Sequence, residues 1–425
     1  MMGPKRILIA TLGSLGDLYP YIALGTGLKK RGHSVTIATS TEHRQRTEAA
    51  GLEWRRMRPE APNDPDLYAK VMNPKTGQDY MFRHLLSPAV KDSYADLREA
   101  AKDTDFLIST PISYAAPMLA EKKGIPWASA LLQPMIFVSA YDPPVLPQAQ
   151  KVTGFLRRFG RLYGVPLRAL GPLITRDWSA PMRELRRELG LPEGLDPLLE
   201  GQHSPRLVLA MFPHALAQKQ PDWPKQAEIT GTLFWDGTEA EQQIQPELER
   251  FLNAGPAPVV FTLGSAAVNT AGNFYAESLS AVRALRCRAV LLIGSDPANR
   301  AQLPENLSED IIALPYAPHA QVFPRAAAIV HQGGVGTLSQ AMRAGKPMLV
   351  VPFSHDQPDN AARVTRLGIA RTLTPDKYRT ASAARELGLL LGDRTIQAAA
   401  ADIGEKVRAE DGVNRACDLV EASLA

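Results

Sequence analysis

Short apolar runs bounded by turn residues alternate along the chain with longer stretches of helical periodicity. RILIAT, HSVTIAT, DFLIST and PWASALL in the first third predict strands, each separated from the next by an amphipathic stretch. Strands alternating with helices imply a parallel sheet covered on both faces. The same grammar restarts with APVVFTLGS, RAVLLIGS, DIIALPY, AAIVHQGG and PMLVVPF, so the chain predicts two α/β units. Between them, PKQAEITGTLFWDGTEAEQQIQPE (224–247) passes from a strand into Gly237 and a polar, acidic stretch. The boundary is expected there, giving one unit over 1–236 and a second over 237–405. The terminal stretch from Thr395 has helix-forming composition, with Ala416, Leu419 and Val420 at helical spacing and a break expected near Gly412.

Composition agrees with this organisation and removes other classes. A chain of 425 residues exceeds what one hydrophobic core usually serves. The hydrophobic fraction of 45% and charged fraction of 22% are those of a globular protein, which sets disorder aside. Cys287 and Cys417 stand far apart with no CxxC or Cys/His spacing, arguing against a zinc site or a disulfide framework and fitting a reducing cytoplasm. The N-terminal apolar run is one strand long and ends in Gly13 and Asp17, which reads as a buried strand and not as a secretory segment. No stretch approaches the roughly 18–20 apolar residues that span a bilayer. A net charge of +4 is too mild to argue for nucleic acid.

The first candidate chemistry lies in RILIATLGSLGDLYPYIALGTGLKKRGHSVTIATS, a strand, glycine turn, helix and strand of the nucleotide-binding kind. The turn reads G-S-L-G-D and not G-x-G-x-x-G, and the second strand ends in Thr39-Ser40 without a ribose-binding acid. A dinucleotide dehydrogenase is therefore disfavoured. Asp17 has two readings: a first-turn aspartate favoured by the helix dipole, or a base at the carboxyl end of a strand. A helix terminus is expected to lower its pKa and so weaken it as a base.

The second candidate is IVHQGGVGTLSQAM. A strand ending at His331 and a helix expected to start near Thr337 leave Gly333, Gly334 and Gly336 between them. Bare backbone N–H groups at a helix N-terminus suit a phosphate. His331, charged or donating, adds a hydrogen bond to the same group; the alternative is a satisfied strand-end histidine. The next predicted strand ends in SHDQ on the same sheet edge, where Asp356 and Gln357 offer acceptors and donors for vicinal hydroxyls. Diphosphate beside hydroxyls describes a nucleotide sugar, with Gly264-Ser265 and the Tyr316 ring facing the same cleft.

With these residues the chain resembles bacterial family 1 glycosyltransferases of the GT-B fold over nearly its whole length, most strongly at 10–40 and 310–368. The rhamnosyltransferase catalytic chain of rhamnolipid synthesis is similar through PDWPKQAEITGTLFWDG, LERFLNAG, YAPHAQVFP and HDQPDNAARVTRLG. The resemblance implies two Rossmann-like parallel-sheet domains facing across a cleft, an N-terminal acceptor domain, a C-terminal donor domain, and a final helix, 406–425, returning to the first domain. It implies Asp17 as the catalytic base. It places Gly16, Ser265, Tyr316, Ala317, His331, Gly333, Gly334, Val335, Gly336, Thr337, Asp356 and Gln357 at the donor, the base on Tyr316 and Ala317, the diphosphate near His331, Gly334 and Ser265, and the sugar on Asp356 and Gln357.

Two departures qualify this pattern. STPISYAAP supplies no aspartate to partner Asp17, and Ser339 stands where many UDP-sugar users carry a ribose-binding glutamate. The second weakens the case for UDP and leaves dTDP open; the resemblance to the rhamnosyltransferase makes dTDP-rhamnose the expected donor, with UDP-glucose behind. The expected reaction is inverting and needs neither metal nor cofactor beyond the nucleotide sugar, since helix dipoles can stabilise the leaving diphosphate. On the acceptor side, residues 151–176 carry six basic residues and no acid, with Phe155, Phe159, Leu162 and Tyr163 at helical spacing. The segment is read either as a lid with a solvated basic face or as a peripheral membrane contact; an amphiphilic or aromatic acceptor is expected in both cases. Outside transferases, a sugar-nucleotide epimerase and a non-catalytic scaffold are the alternatives.

Overall fold

The computed structural model describes residues 3–60 and 64–424. Among the described residues, thirteen strands form two all-parallel sheets. The first contains β1 (Arg6–Ala10), β2 (Ser34–Thr39), β3 (Glu53–Arg56), β4 (Phe106–Ser109), β5 (Trp127–Leu131), β6 (Leu207–Ala210) and β7 (Ala227–Ile229), in the order 3-2-1-4-5-6-7. The second contains β8 (Val259–Thr262), β9 (Ala289–Leu292), β10 (Ile311–Leu314), β11 (Ala328–His331), β12 (Met348–Val350) and β13 (Ala370–Thr372), in the order 10-9-8-11-12-13. Both orders reverse beside the first strand of their domain, the doubly wound arrangement whose ligands sit outside the carboxyl ends of the strands at the reversal. Each predicted apolar run is a strand. Central strands are apolar on both faces because helices cover both: Ile9 sits opposite Ile37 and Ile108, and Val330 opposite Phe261 and Leu349.

The chain crosses between domains after β7 in an extended stretch that ends at the Pro246–Asn253 helix. Asp236 anchors that crossing: both terminal nitrogens of Arg343 donate to its carboxylate, at 3.0 and 2.6 Å, and Gln340 Nε2 donates at 2.9 Å. At the other end, the Arg394–Ala409 helix packs on the C-terminal domain, with Val407 in its core and Arg408 donating to the Arg343 carbonyl. The returning helix is Gly412–Leu424, so it starts at 412 and not at the expected 406. The reason is steric. A Cβ on Gly412 would lie 2.5 Å from the Thr232 carbonyl oxygen, so the chain turns there against the crossing segment. Ala416, Cys417 and Val420 then join the core of the N-terminal domain, and Arg31 donates to Asp418 and Glu421.

The two domains are also tied by a buried charge cluster. Asp142 and Arg157 come from the first domain, and Asp359, Arg363 and Arg366 from the second, in the Gln357–Arg366 helix. Asp359 also receives the Val145 N–H at 3.0 Å. Burial pushes the Asp142 carboxyl up, but the guanidiniums of Arg363 and Arg157 outweigh it and hold it below the usual range. Arg363 is 1% exposed and donates to both aspartates. Removing one member of a buried ionic set leaves charge uncompensated. Arg363→Met is expected to destabilise the protein by about 3–5 kcal/mol, read as a lowered urea midpoint in equilibrium unfolding.

Candidate active site

β1 and β11 feed directly into helices whose N-termini meet across the domain boundary. The Leu15–Lys30 helix follows the first glycine turn, and the Val335–Ala344 helix follows the second. The latter starts two residues before the expected Thr337, so Gly336 lies within its first turn and not in the loop. Gly334 is the N-cap. A Cβ built on Gly336 would stand 3.1 Å from Gly16 Cα, and one on Gly16 would stand 3.7 Å from the Gly336 nitrogen. Backbone meets backbone here with no side chain between. Two sets of unpaired helix N–H groups thereby converge, which is an anion site by geometry.

Asp17 lies on the rim of this junction. Its Oδ2 accepts the Ser14 N–H at 2.8 Å and the Ser14 hydroxyl at 3.0 Å, so the capping reading is realised. The other oxygen, Oδ1, has no protein donor among the described residues. Burial pushes its pKa up, and the Ser14 hydrogen bonds and His43 pull it down without cancelling that rise. This corrects the expectation of a lowered value: in a desolvated wall, burial outweighs the helix terminus. The turn beneath is held by His43, whose Nε2 donates to the Gly13 carbonyl at 2.8 Å. STPISYAAP, which leads out of β4, holds no acid, and the Asp17 carboxylate is oriented by Ser14. Ser14-x-x-Asp17 is a capping-box spacing legible in the sequence; His43 carried no such signal.

His331 is fully buried at the end of β11. Its Nδ1 accepts the Gly333 N–H at 3.0 Å, so the ring proton sits on Nε2, which is buried and has no partner among the described residues. Burial, with the nearby His319, pushes its pKa down to about 3. The charged alternative is therefore excluded, and His331 is a neutral donor with an unspent N–H.

The polar knot after β12 folds against the same loop. His355 has φ +57°, and this turn starts the Gln357–Arg366 helix. Asn360 Nδ2 donates to the Gly333 carbonyl at 2.9 Å and to Asp356 Oδ2 at 2.6 Å, clasping the two loops together. The Gln357 carbonyl accepts Phe353 and Ser354 N–H groups, at 2.8 and 3.2 Å, so only its NH₂ remains for a ligand. Asp356 is pushed up to about 7, by burial first and then by the charge of Asp17. The two acids thus face the same space from opposite domains.

Of the remaining candidates, Gly264 packs against Gln332 and Thr337, which brings exposed Ser265 beside the second helix N-terminus. Tyr316 is 55% exposed, as a stacking ring must be, whereas the Ala317 side chain is in the core and only its backbone can reach a base. Ser339 is 2% exposed, with a buried hydroxyl lacking a partner. The first domain also reaches over the site: Met72 enters the core of the second domain, and the Asn73 carbonyl accepts from Ser354 Oγ at 3.4 Å. Among the described residues, no group of three His, Cys, Asp or Glu side chains is placed to hold a metal ion.

This geometry has counterparts. Residues 7–135 match the glycosyltransferase family 28 N-terminal domain, and residues 280–416 match the erythromycin biosynthesis protein CIII-like C-terminal domain. O-mycaminosyltylonolide 6-deoxyallosyltransferase of Streptomyces fradiae is 32% identical over 98% of this chain and 97% of its own length. The chain belongs to the GT-B glycosyltransferases. As a member it transfers a sugar from a nucleotide donor to a small-molecule acceptor. The glycosyltransferase of kitacinnamycin shares the fold at TM-score 0.74 and 22% identity, each chain fully covered. The glycosyltransferase VinC, solved with dTDP, does so at 0.66 and 22%, covering 98% of this chain and 99% of its own.

A carboxyl whose folded pKa lies above its unfolded value stabilises the fold below the unfolded value and loses that contribution as pH rises through the folded one. For Asp356 the window runs from about 4 up to about 7. Asp356→Asn, which keeps an acceptor for Asn360, is expected to melt increasingly above the parent protein as pH rises from 5 to 8. Parallel melting curves across that range check this.

Proposed function

We propose that this glycosyltransferase moves a 6-deoxyhexose, rhamnose first, from a dTDP donor to a hydroxyl of an amphiphilic or aromatic acceptor, with inversion and without a required metal. The observation that carries this reading is the meeting of the two helix N-termini at Gly16 and Gly336 with Asp17 on its rim. The diphosphate sits on the Val335–Ala344 N-terminus and receives the His331 Nε2–H. Asp356 and the Gln357 NH₂ hold sugar hydroxyls, and Tyr316 covers the base. Asp17 Oδ1 takes the acceptor proton as the acceptor oxygen attacks the anomeric carbon and the diphosphate departs. Its raised pKa makes it a better base than a surface aspartate. The helix dipoles and His331 stabilise charge developing on the leaving group.

The choice of dTDP rests on Ser339, a small hydroxyl with no carboxylate to grip a ribose 2′-hydroxyl, and it accords with VinC having been solved with dTDP. The 6-deoxy sugar accords with the 6-deoxyallosyl group named for the Streptomyces fradiae relative.

Asp17→Asn is the deciding variant, because the amide oxygen still accepts from Ser14 and preserves the cap. It should bind donor as the parent does and lose transfer on the order of 10²–10⁴-fold; undiminished transfer would remove Asp17 as the base. Calorimetric titration with dTDP and UDP checks the donor. Tighter dTDP binding is expected; tighter UDP binding moves the assignment to UDP-sugars, UDP-glucose first, and binding of neither removes the donor site as drawn.

A further inference from the structure

Helices on a protein surface ordinarily turn large apolar residues inward. The segment 150–176 does the reverse. In the Arg161–Ile174 helix, Leu162, Val165, Leu170, Leu173 and Ile174 are 49–82% exposed. The inward side is built from glycines. A Cβ on Gly164 would stand 2.3 Å from the Ala140 carbonyl oxygen, and one on Gly171 would stand 3.1 Å from the Leu199 side chain. The helix is therefore docked by its small face, and no rotation about its axis can bury the leucines, since only glycine fits against Ala140.

The preceding turns continue the stripe. Val152, Phe155 and Phe159 are exposed, with the two rings edge to face at 5.7 Å. Eight of the twelve exposed large apolar side chains among the described residues lie between Val152 and Ile174. Such concentration marks an interaction surface, whereas scattered exposure would not.

Charge selects the partner. Arg157 is turned to Asp142 and Asp359, and Arg168 to Asp222 and Glu200. Lys151, Arg158, Arg161 and Arg176 are exposed and have no carboxylate partner among the described residues. No acid occurs from 143 to 176. An apolar stripe rimmed by unpaired cations suits a surface that is anionic outside and hydrocarbon beneath. A second copy docked two-fold on the same face would bring the two sets of cations together, which Coulomb repulsion opposes.

We propose that the face formed by residues 151–176 docks on an anionic phospholipid surface, with Leu162, Leu173 and Ile174 at the acyl boundary and Lys151, Arg158, Arg161 and Arg176 at the headgroups. The test is co-sedimentation of the full chain with phosphatidylcholine vesicles and with mixed phosphatidylcholine–phosphatidylglycerol vesicles. The parent protein should bind the mixed vesicles on the order of tenfold tighter, less so at high salt. Leu162→Glu with Leu173→Glu should lose at least about tenfold of that affinity while its circular dichroism and melting stay unchanged, because both positions are solvent-facing. Arg158→Gln with Arg161→Gln leaves the apolar stripe intact and should remove the preference for the anionic vesicles, which tests the idea should the glutamate pair fail to fold. Absence of vesicle binding, or equal binding by all three proteins, overturns the proposal. So does a dimer in light scattering that the glutamate pair splits without any vesicle binding, since the face would then serve self-association.

Discussion

Two helix N-termini meet at Gly16 and Gly336, so closely that a Cβ on Gly336 would stand 3.1 Å from Gly16 Cα. Each end carries partial positive charge from its unpaired N–H groups. Bringing them together is unfavourable unless negative charge accompanies them. Asp17 caps one of these ends, and Asp356 faces it from the second domain. The confined space disfavours ionising both acids, and the charge of Asp17, after burial, raises the Asp356 pKa.

Holding such a junction closed falls to contacts elsewhere. The Asp142, Arg157, Asp359 and Arg363 cluster spans the boundary on one flank, and the Gly412–Leu424 helix binds the chain's end to its beginning on the other. The Asp236 anchor ties the crossing strand to the very helix whose N-terminus forms the junction. Because Asp359 and Asp356 lie at the start of one helix, the domain clasp and the acid at the junction are carried by the same element. Hinge motion between such domains is the general expectation for a polar interface. Here any opening would expose ionic groups that are almost fully buried.

Central strands were legible because a parallel sheet covered on both faces demands continuous apolar runs. β3, which reads EWRR, is an edge strand of the first sheet with one side in solvent and carries no such run; β13 is three residues at an edge of the second sheet. β6 is an apolar run of four that periodicity alone does not separate from a buried helix segment. At the site, the glycine loops and acids were visible as residue types, but their second partners were not. Asn360 looks like any helical asparagine until folding puts it between Gly333 and Asp356. Nothing local pairs Asp142 with Arg363, which is more than 200 residues away. The direction of the Asp17 shift is not legible in the sequence, which supplies the helix end but not the desolvation around it.

Cap and base are usually alternative fates for an aspartate, since a carboxylate that accepts backbone N–H groups is a weaker base. In the proposed reaction Asp17 would reconcile them by dividing its oxygens. Oδ2 is occupied by Ser14, which fixes the rotamer, while Oδ1 has no donor from the protein. Burial then restores the basicity that capping removes, and net the pKa is raised. The carboxylate is thus oriented without being neutralised. Here a cap hydroxyl, and not a second acid, would orient the carboxylate. Under the proposed reaction no second acid after β4 is needed, and the Ser14 contact is the geometric condition on which proton removal by Asp17 would rest.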